Sequence, residues 1–146
     1  MRSYFIYHIQ EEVADFFYGK ERRFYHLFHE YMNSSGILNG IIERQISYIT
    51  KPLPFLDMHR VLHQSMQRGR PFRMEGRSYR TASCSTNHGA ELLVEDRYML
   101  LKAWGNYDSE TLFFEALRKF DGSLLAIDIE HERYGWIRPL KERKYV

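Results

Sequence analysis

Near the start of the chain, Tyr4-Phe5-Ile6-Tyr7-His8-Ile9 carries aromatic or aliphatic side chains at odd and even positions alike. Successive side chains of a strand point to opposite faces of its sheet, so a strand that is apolar on both faces must be covered on both sides. This run is therefore expected to form an interior strand. Leu124 to Ile129 has the same two-faced character and is expected to be a second interior strand.

Between these runs the periodicity changes. Val13, Phe16 and Phe17 have helical spacing before a stop at Gly19, and Phe24, Leu27, Phe28 and Tyr31 repeat at i, i+3, i+4 and i+7. After Asn33-Ser34-Ser35-Gly36, a third helix is expected with Leu38, Ile42, Ile46 and Ile49 on its core stripe, ended by Pro52 and Pro54. Asp57 is placed to cap a fourth helix running through Met58, Val61, Leu62 and Met66 to Gly69.

The second half reads mostly as strands. Arg68 to Ser83 is expected to be a loop passing into a weak edge strand, with Arg77, Tyr79 and Thr81 alternating against Ser78, Arg80 and Ala82. Ala90 to Val94 and Arg97 to Trp104, separated by Glu95-Asp96, form an expected hairpin. Asp108 is a candidate N-cap for a helix with Phe113, Ala116, Leu117 and Phe120 on one face and Gly122 beyond its end. Leu124 to Ile129 and Tyr134 to Ile137 follow as two strands around Glu130-His131-Glu132-Arg133. The pattern is α+β: a single domain over residues 1–146, with a largely antiparallel sheet packed with helices.

Composition narrows the function classes. A formal charge of +2 is too mild for a protein that grips a phosphate backbone, and Cys84 is the only cysteine, so no internal disulfide forms. The apolar start is too short for a membrane span and lacks a cleavage pattern, which predicts a soluble, cytoplasmic protein. Aromatic residues make up 16% of the chain, a bias that favours cores and interfaces.

No catalytic constellation emerges. His59 and His63 are one helical turn apart but lack a third ligand at suitable spacing, and His29-Glu30-Tyr31-Met32-Asn33 has Asn where a zincin helix needs its second histidine. Cys84 and His88 share a turn-rich stretch without an orienting acid, and Asp108-Ser109-Glu110 is accounted for as a helix start. The expectation is a protein that is not an enzyme and uses neither metal nor cofactor. The cluster Arg68, Arg70, Arg73, Arg77 and Arg80 is the feature that favours an alternative role as a direct DNA-binding regulator. With only Phe72 and Tyr79 interleaved, it reads more readily as a solvated loop.

The helix after Gly36 carries a second stripe, Ile41, Gln45 and Tyr48, beside its core stripe. A mixture of aliphatic, amide and phenolic groups suits a protein interface, where an aromatic anchor is dried and a polar group fixes register. The pattern alone fits equally a helix buried on both stripes.

Several runs give the chain a recognisable character. They are Glu11-Glu12 after the aromatic strand, Gly19 followed by Glu21, Gln45-Ile46-Ser47-Tyr48-Ile49-Thr50, Glu110 to Lys119, Leu125-Ala126-Ile127-Asp128, Arg133-Tyr134-Gly135-Trp136, and the ending Pro139, Lys141-Glu142-Arg143 and Tyr145-Val146. On these runs the chain resembles the SirA family, the sporulation inhibitors of replication of Bacillus and its relatives. The resemblance is weakest from about Arg68 to Asn87. It implies an inhibitor that binds the N-terminal domain of the initiator DnaA, one-to-one, and blocks replication initiation during sporulation. The family's partner-binding positions correspond to Val13, Phe17, Gln45 and Tyr48. Ile41 joins them from the second stripe. The sequence departs from the family pattern at Val13, where a larger aromatic is expected, and at Phe17, where a tyrosine is expected.

Overall fold

The computed structural model describes residues 1–67, 72–81 and 87–139. The first strand, β1 (Arg2–Ile9), is followed by α1 (Glu11–Phe16), α2 (Arg22–Asn33) and α3 (Gly36–Ile49). A short β2 (Thr50–Lys51) leads into α4 (Phe55–Gln67), and the chain continues through β3 (Phe72–Glu75), β4 (Ser78–Thr81), β5 (Gly89–Val94) and β6 (Tyr98–Trp104). Helix α5 (Asp108–Leu117) precedes β7 (Ser123–Asp128) and β8 (Arg133–Trp136). The strands form one sheet in the order β3-β4-β5-β6-β1-β7-β8, with β2 also on β1, and every pairing is antiparallel. The architecture is α+β.

The two-faced strands occupy interior places. Strand β1 lies between β6 and β7, with Ile6 opposite Met99 on one side and Ala126 on the other. Its Tyr4 and Ile6 enter a core with Met58, Val61 and Leu62 of α4 and Phe113, Ala116 and Leu117 of α5. Its Tyr7 and Ile9 enter a second core with Ala14 of α1, Phe24, Tyr25 and Phe28 of α2, and Ile42 and Ile46 of α3. Strand β7 divides in the same way, Leu124 and Ala126 facing the first core and Leu125 and Ile127 the second. The sheet is thus sandwiched between helical layers, and the pleat of two strands dictates both. Strands β5 and β6 bury mainly one face, that of Leu92, Val94, Met99 and Leu101, while Glu91 and Lys102 alternate away from it and Tyr98 packs against the second core.

Several expectations need correction. Leu38 is 51% exposed, so the core stripe of α3 consists of Ile42 and Ile46 with partly buried Ile49. Helix α4 begins at Phe55, which puts Asp57 inside its first turn instead of at its cap. Asp108 is likewise the first helical residue of α5, preceded by Tyr107 as N-cap, and it makes no capping bond. A carboxylate in the first turn still favours the helix through the dipole. The expected edge strand is β4, which lies inside the sheet because β3 pairs with it and takes the outer position. Arg73 and Met74 gave no clean alternation by which β3 could be read. Gly69, Arg68, Arg70, Cys84 and the tail beyond Pro139 lie outside the described residues.

Candidate functional site: an apolar groove between three helices

The C-terminal end of α3 is held from two sides. The Gln10 side-chain amide donates to the Tyr48 carbonyl at 2.8 Å, and the Gln10 backbone N–H donates to the Ile49 carbonyl at 2.8 Å. Arg97 donates to the Ser47 carbonyl at 3.1 Å and to the Thr50 carbonyl at 3.2 Å. These bonds satisfy carbonyls that a helix end leaves without partners, and they fix the last turn against the sheet. Tyr48 is carried by that turn and points outward, 79% exposed.

The turn from α1 to α2 is fixed as firmly. Gly19 has φ +80°, a conformation glycine adopts without a Cβ clash, and its N–H donates to Glu21 Oε1 at 3.0 Å. The Trp136 indole N–H donates to the same oxygen at 3.1 Å. Burial pushes the Glu21 pKa upward, but these bonds outweigh it and leave the carboxyl below its ordinary range. The turn brings Phe17 edge to face with Phe24, centroids 5.4 Å apart.

Between these fixed ends lies a groove of about 430 Å³. Phe17 closes one end, Phe24 and Leu27 of α2 form one wall, and Gln45, Tyr48 and Ile49 of α3 form the other. Arg23 and Arg44 also line it. Arg23 stacks over the Phe17 ring at 5.9 Å, whereas Arg44 makes no ion pair among the described residues. The groove therefore offers aromatic and aliphatic walls with an amide and guanidinium groups beside them. Such a mixture can dry an apolar side chain and orient an acidic one.

The structure brings Phe17, Gln45 and Tyr48 together around this groove. Ile41 is 47% exposed on the same helix but does not line it. Val13 is half-buried against the second core and does not line the groove. The lining accordingly draws on α2, α3 and Phe17, the residue that ends α1. Phe24, Leu27, Arg23 and Arg44 are the lining residues that sequence reasoning missed. Phe24 and Leu27 were visible only as core positions, and that they also line a groove depends on how α2 packs beside α3.

The His59 and His63 rings lie 4.1 Å apart, and the Tyr79 hydroxyl bonds His59 Nδ1. Burial, then the neighbouring His63, holds the His59 pKa below its usual value, and burial pushes the Tyr79 phenol up to about 12. Among the described residues no group of three His, Cys, Asp or Glu side chains is placed to hold a metal ion. Arg77 pairs with Asp96 at 3.1 Å and Arg80 with Glu91 at 3.2 Å. No helix of the described residues is long and apolar enough to cross a membrane.

Comparison with known proteins agrees with the resemblance read from the residues. A family described as "Sporulation inhibitor of replication protein SirA" matches residues 2–141. The sporulation inhibitor of replication protein SirA of Bacillus subtilis (strain 168) is 36% identical over 147 residues, covering 99% of each chain. The chain belongs to the SirA family.

Proposed function

We propose that this protein inhibits DNA replication during sporulation by binding the N-terminal domain of the initiator DnaA, one-to-one, through the groove between α1, α2 and α3. The observation that carries the reading is the placement of Gln45 and Tyr48: both are exposed, and both line an apolar groove instead of packing into a core. An exposed tyrosine beside an apolar groove has the composition of an interface anchor, and Gln45 supplies a donor and an acceptor to set register. Inhibition then works by occupancy, with no chemical step and no cofactor. The reading places the protein in the cytoplasm, where the initiator acts.

Direct DNA binding through Arg68 to Arg80 fits less well. Arg77 and Arg80 already spend their charge on acids of neighbouring segments, which lowers what they offer a phosphate backbone. The deciding experiment is retention of full-length DnaA and of its isolated N-terminal domain on the immobilised protein. Retention of both supports the reading. Failure to retain the isolated domain while bare duplex DNA is bound in a salt-dependent way would replace it.

A further inference from the structure

A second cavity, of about 260 Å³, opens on the opposite face of the sheet beside β8. Its floor is Ala126 of β7 next to Gly135 of β8, which are partners in register. Tyr4 and Phe114 stand beside that floor with their rings edge to face at 5.2 Å, and Arg118 and Arg133 complete the wall.

Gly135 is not demanded by its own backbone, since its φ lies outside the left-handed region, and a Cβ built there would meet nothing within 4 Å. A glycine inside a strand weakens it and often marks the close approach of a ligand. What it provides here is a flat floor.

The charges around that floor are held in place. Arg133 donates to the buried Asp128 carboxylate at 2.9 Å and to the Tyr4 hydroxyl at 3.2 Å, while His131 Nδ1 holds the same carboxylate at 2.8 Å. Arg118 is oriented by donating its Nε–H to the Ile137 carbonyl at 3.2 Å and makes no ion pair among the described residues. The Asp128 carboxylate pairs with Arg133 and not with Arg118, so N–H donors of both guanidinium groups are available to an acid.

We propose that this cavity binds a small planar anion, with its ring lying over Ala126 and Gly135 beside Tyr4 and Phe114 and its carboxylate or phosphate held by Arg118 and Arg133. Pockets for drug-sized ligands hold roughly 300–1,000 Å³, so this smaller one suits a single ring with its acidic group. The site is independent of the DnaA reading, because it lies on the other face of the sheet.

The test is an amide-shift NMR titration of the full chain with benzoate, phenyl phosphate, benzamide and inorganic phosphate. Benzoate or phenyl phosphate should move the Ala126 and Gly135 amides saturably, and whichever binds tighter identifies the acid. Benzamide and inorganic phosphate should bind at least about tenfold more weakly, the loss expected when a charge-assisted bond or the stacked ring is absent. Gly135→Val should abolish the saturable shifts by filling the floor. Arg118→Gln, on an exposed side chain that leaves the fold intact, should weaken binding about tenfold. Absence of saturation with both acids, equal binding of benzamide and benzoate, or unchanged binding in Arg118→Gln would overturn the proposal.

Discussion

Tyr48 concentrates the functional question in one side chain. Its ring is 79% exposed, so removing it deletes little from the core, yet it forms much of one groove wall. Tyr48→Ala is expected to weaken binding of the DnaA N-terminal domain by about 2 kcal/mol or more, the scale of an interface hot spot, with little change in melting temperature. Val13→Ala should show the reverse balance, because Val13 packs against the second core and not in the groove. Its melting temperature should fall while affinity changes less than for Tyr48→Ala. Calorimetric titrations run beside thermal melts separate the two effects, and an unchanged affinity for Tyr48→Ala would remove this groove as the binding surface. The Phe17 ring packs edge to face with Phe24, so Phe17→Tyr would add a polar group to the lining of the groove.

At the scale of elements, the start of β1 and the first turn of α5 are joined by a nearly buried ion pair. Arg2 contacts Glu110 at 2.6 Å, and their side chains are 12% and 2% exposed. The Arg2 guanidinium also lies 4.4 Å over the Tyr107 ring and donates to the Gly105 carbonyl at 2.9 Å. Deleting one partner of such a pair leaves the other charge poorly solvated. Glu110→Ala is therefore expected to destabilise the protein by about 3–5 kcal/mol, measured by denaturant unfolding. A loss below about 1 kcal/mol, the range of exposed pairs, would mean that water already solvates Arg2. Glu110 was read from sequence as a helix-start residue, and it is one. Its pairing with Arg2 across 108 positions is a product of the sheet, which sets β1 beside β6 and so brings the chain's start to the entry of α5.

Across the whole molecule, both cores are built on β1 and β7, so loss of either helical layer bares one apolar face of the same strands on which the other layer packs. A single cooperative unfolding transition is expected by calorimetry, with calorimetric and van't Hoff enthalpies in agreement. Acid should lower its midpoint. Burial holds the His8 pKa below its ordinary value, outweighing a bond with the Pro52 backbone, so the unfolded chain takes up that proton first as pH falls. Stability tied to His8 is therefore present above about pH 6.5 and is lost on acidification towards the lower folded value. The depressed Glu21 carboxyl extends the loss to lower pH. His8→Leu should flatten the fall in melting temperature between about pH 7 and pH 5, and an unchanged slope would assign it to other groups.

The sequence by itself determined the interior strands, the α5 helix and the presence of a second stripe on α3, because each is written in local periodicity. The two-faced pattern of Tyr4 to Ile9 leaves a strand no stable place except inside a covered sheet. Only the tertiary structure decided which apolar residues remain outside. Leu38 fits the core period of α3 as well as Ile42 does, but at 51% against 3% exposure they part company, since α3 meets the core only over its later turns. The short β2 and the outer β3 escaped reading for the same reason: a brief or irregular strand is defined by the neighbour it pairs with, not by its own composition. The groove belongs to this second class. Its walls come from separate helices, and the space between them exists only once α1, α2 and α3 pack against a common sheet.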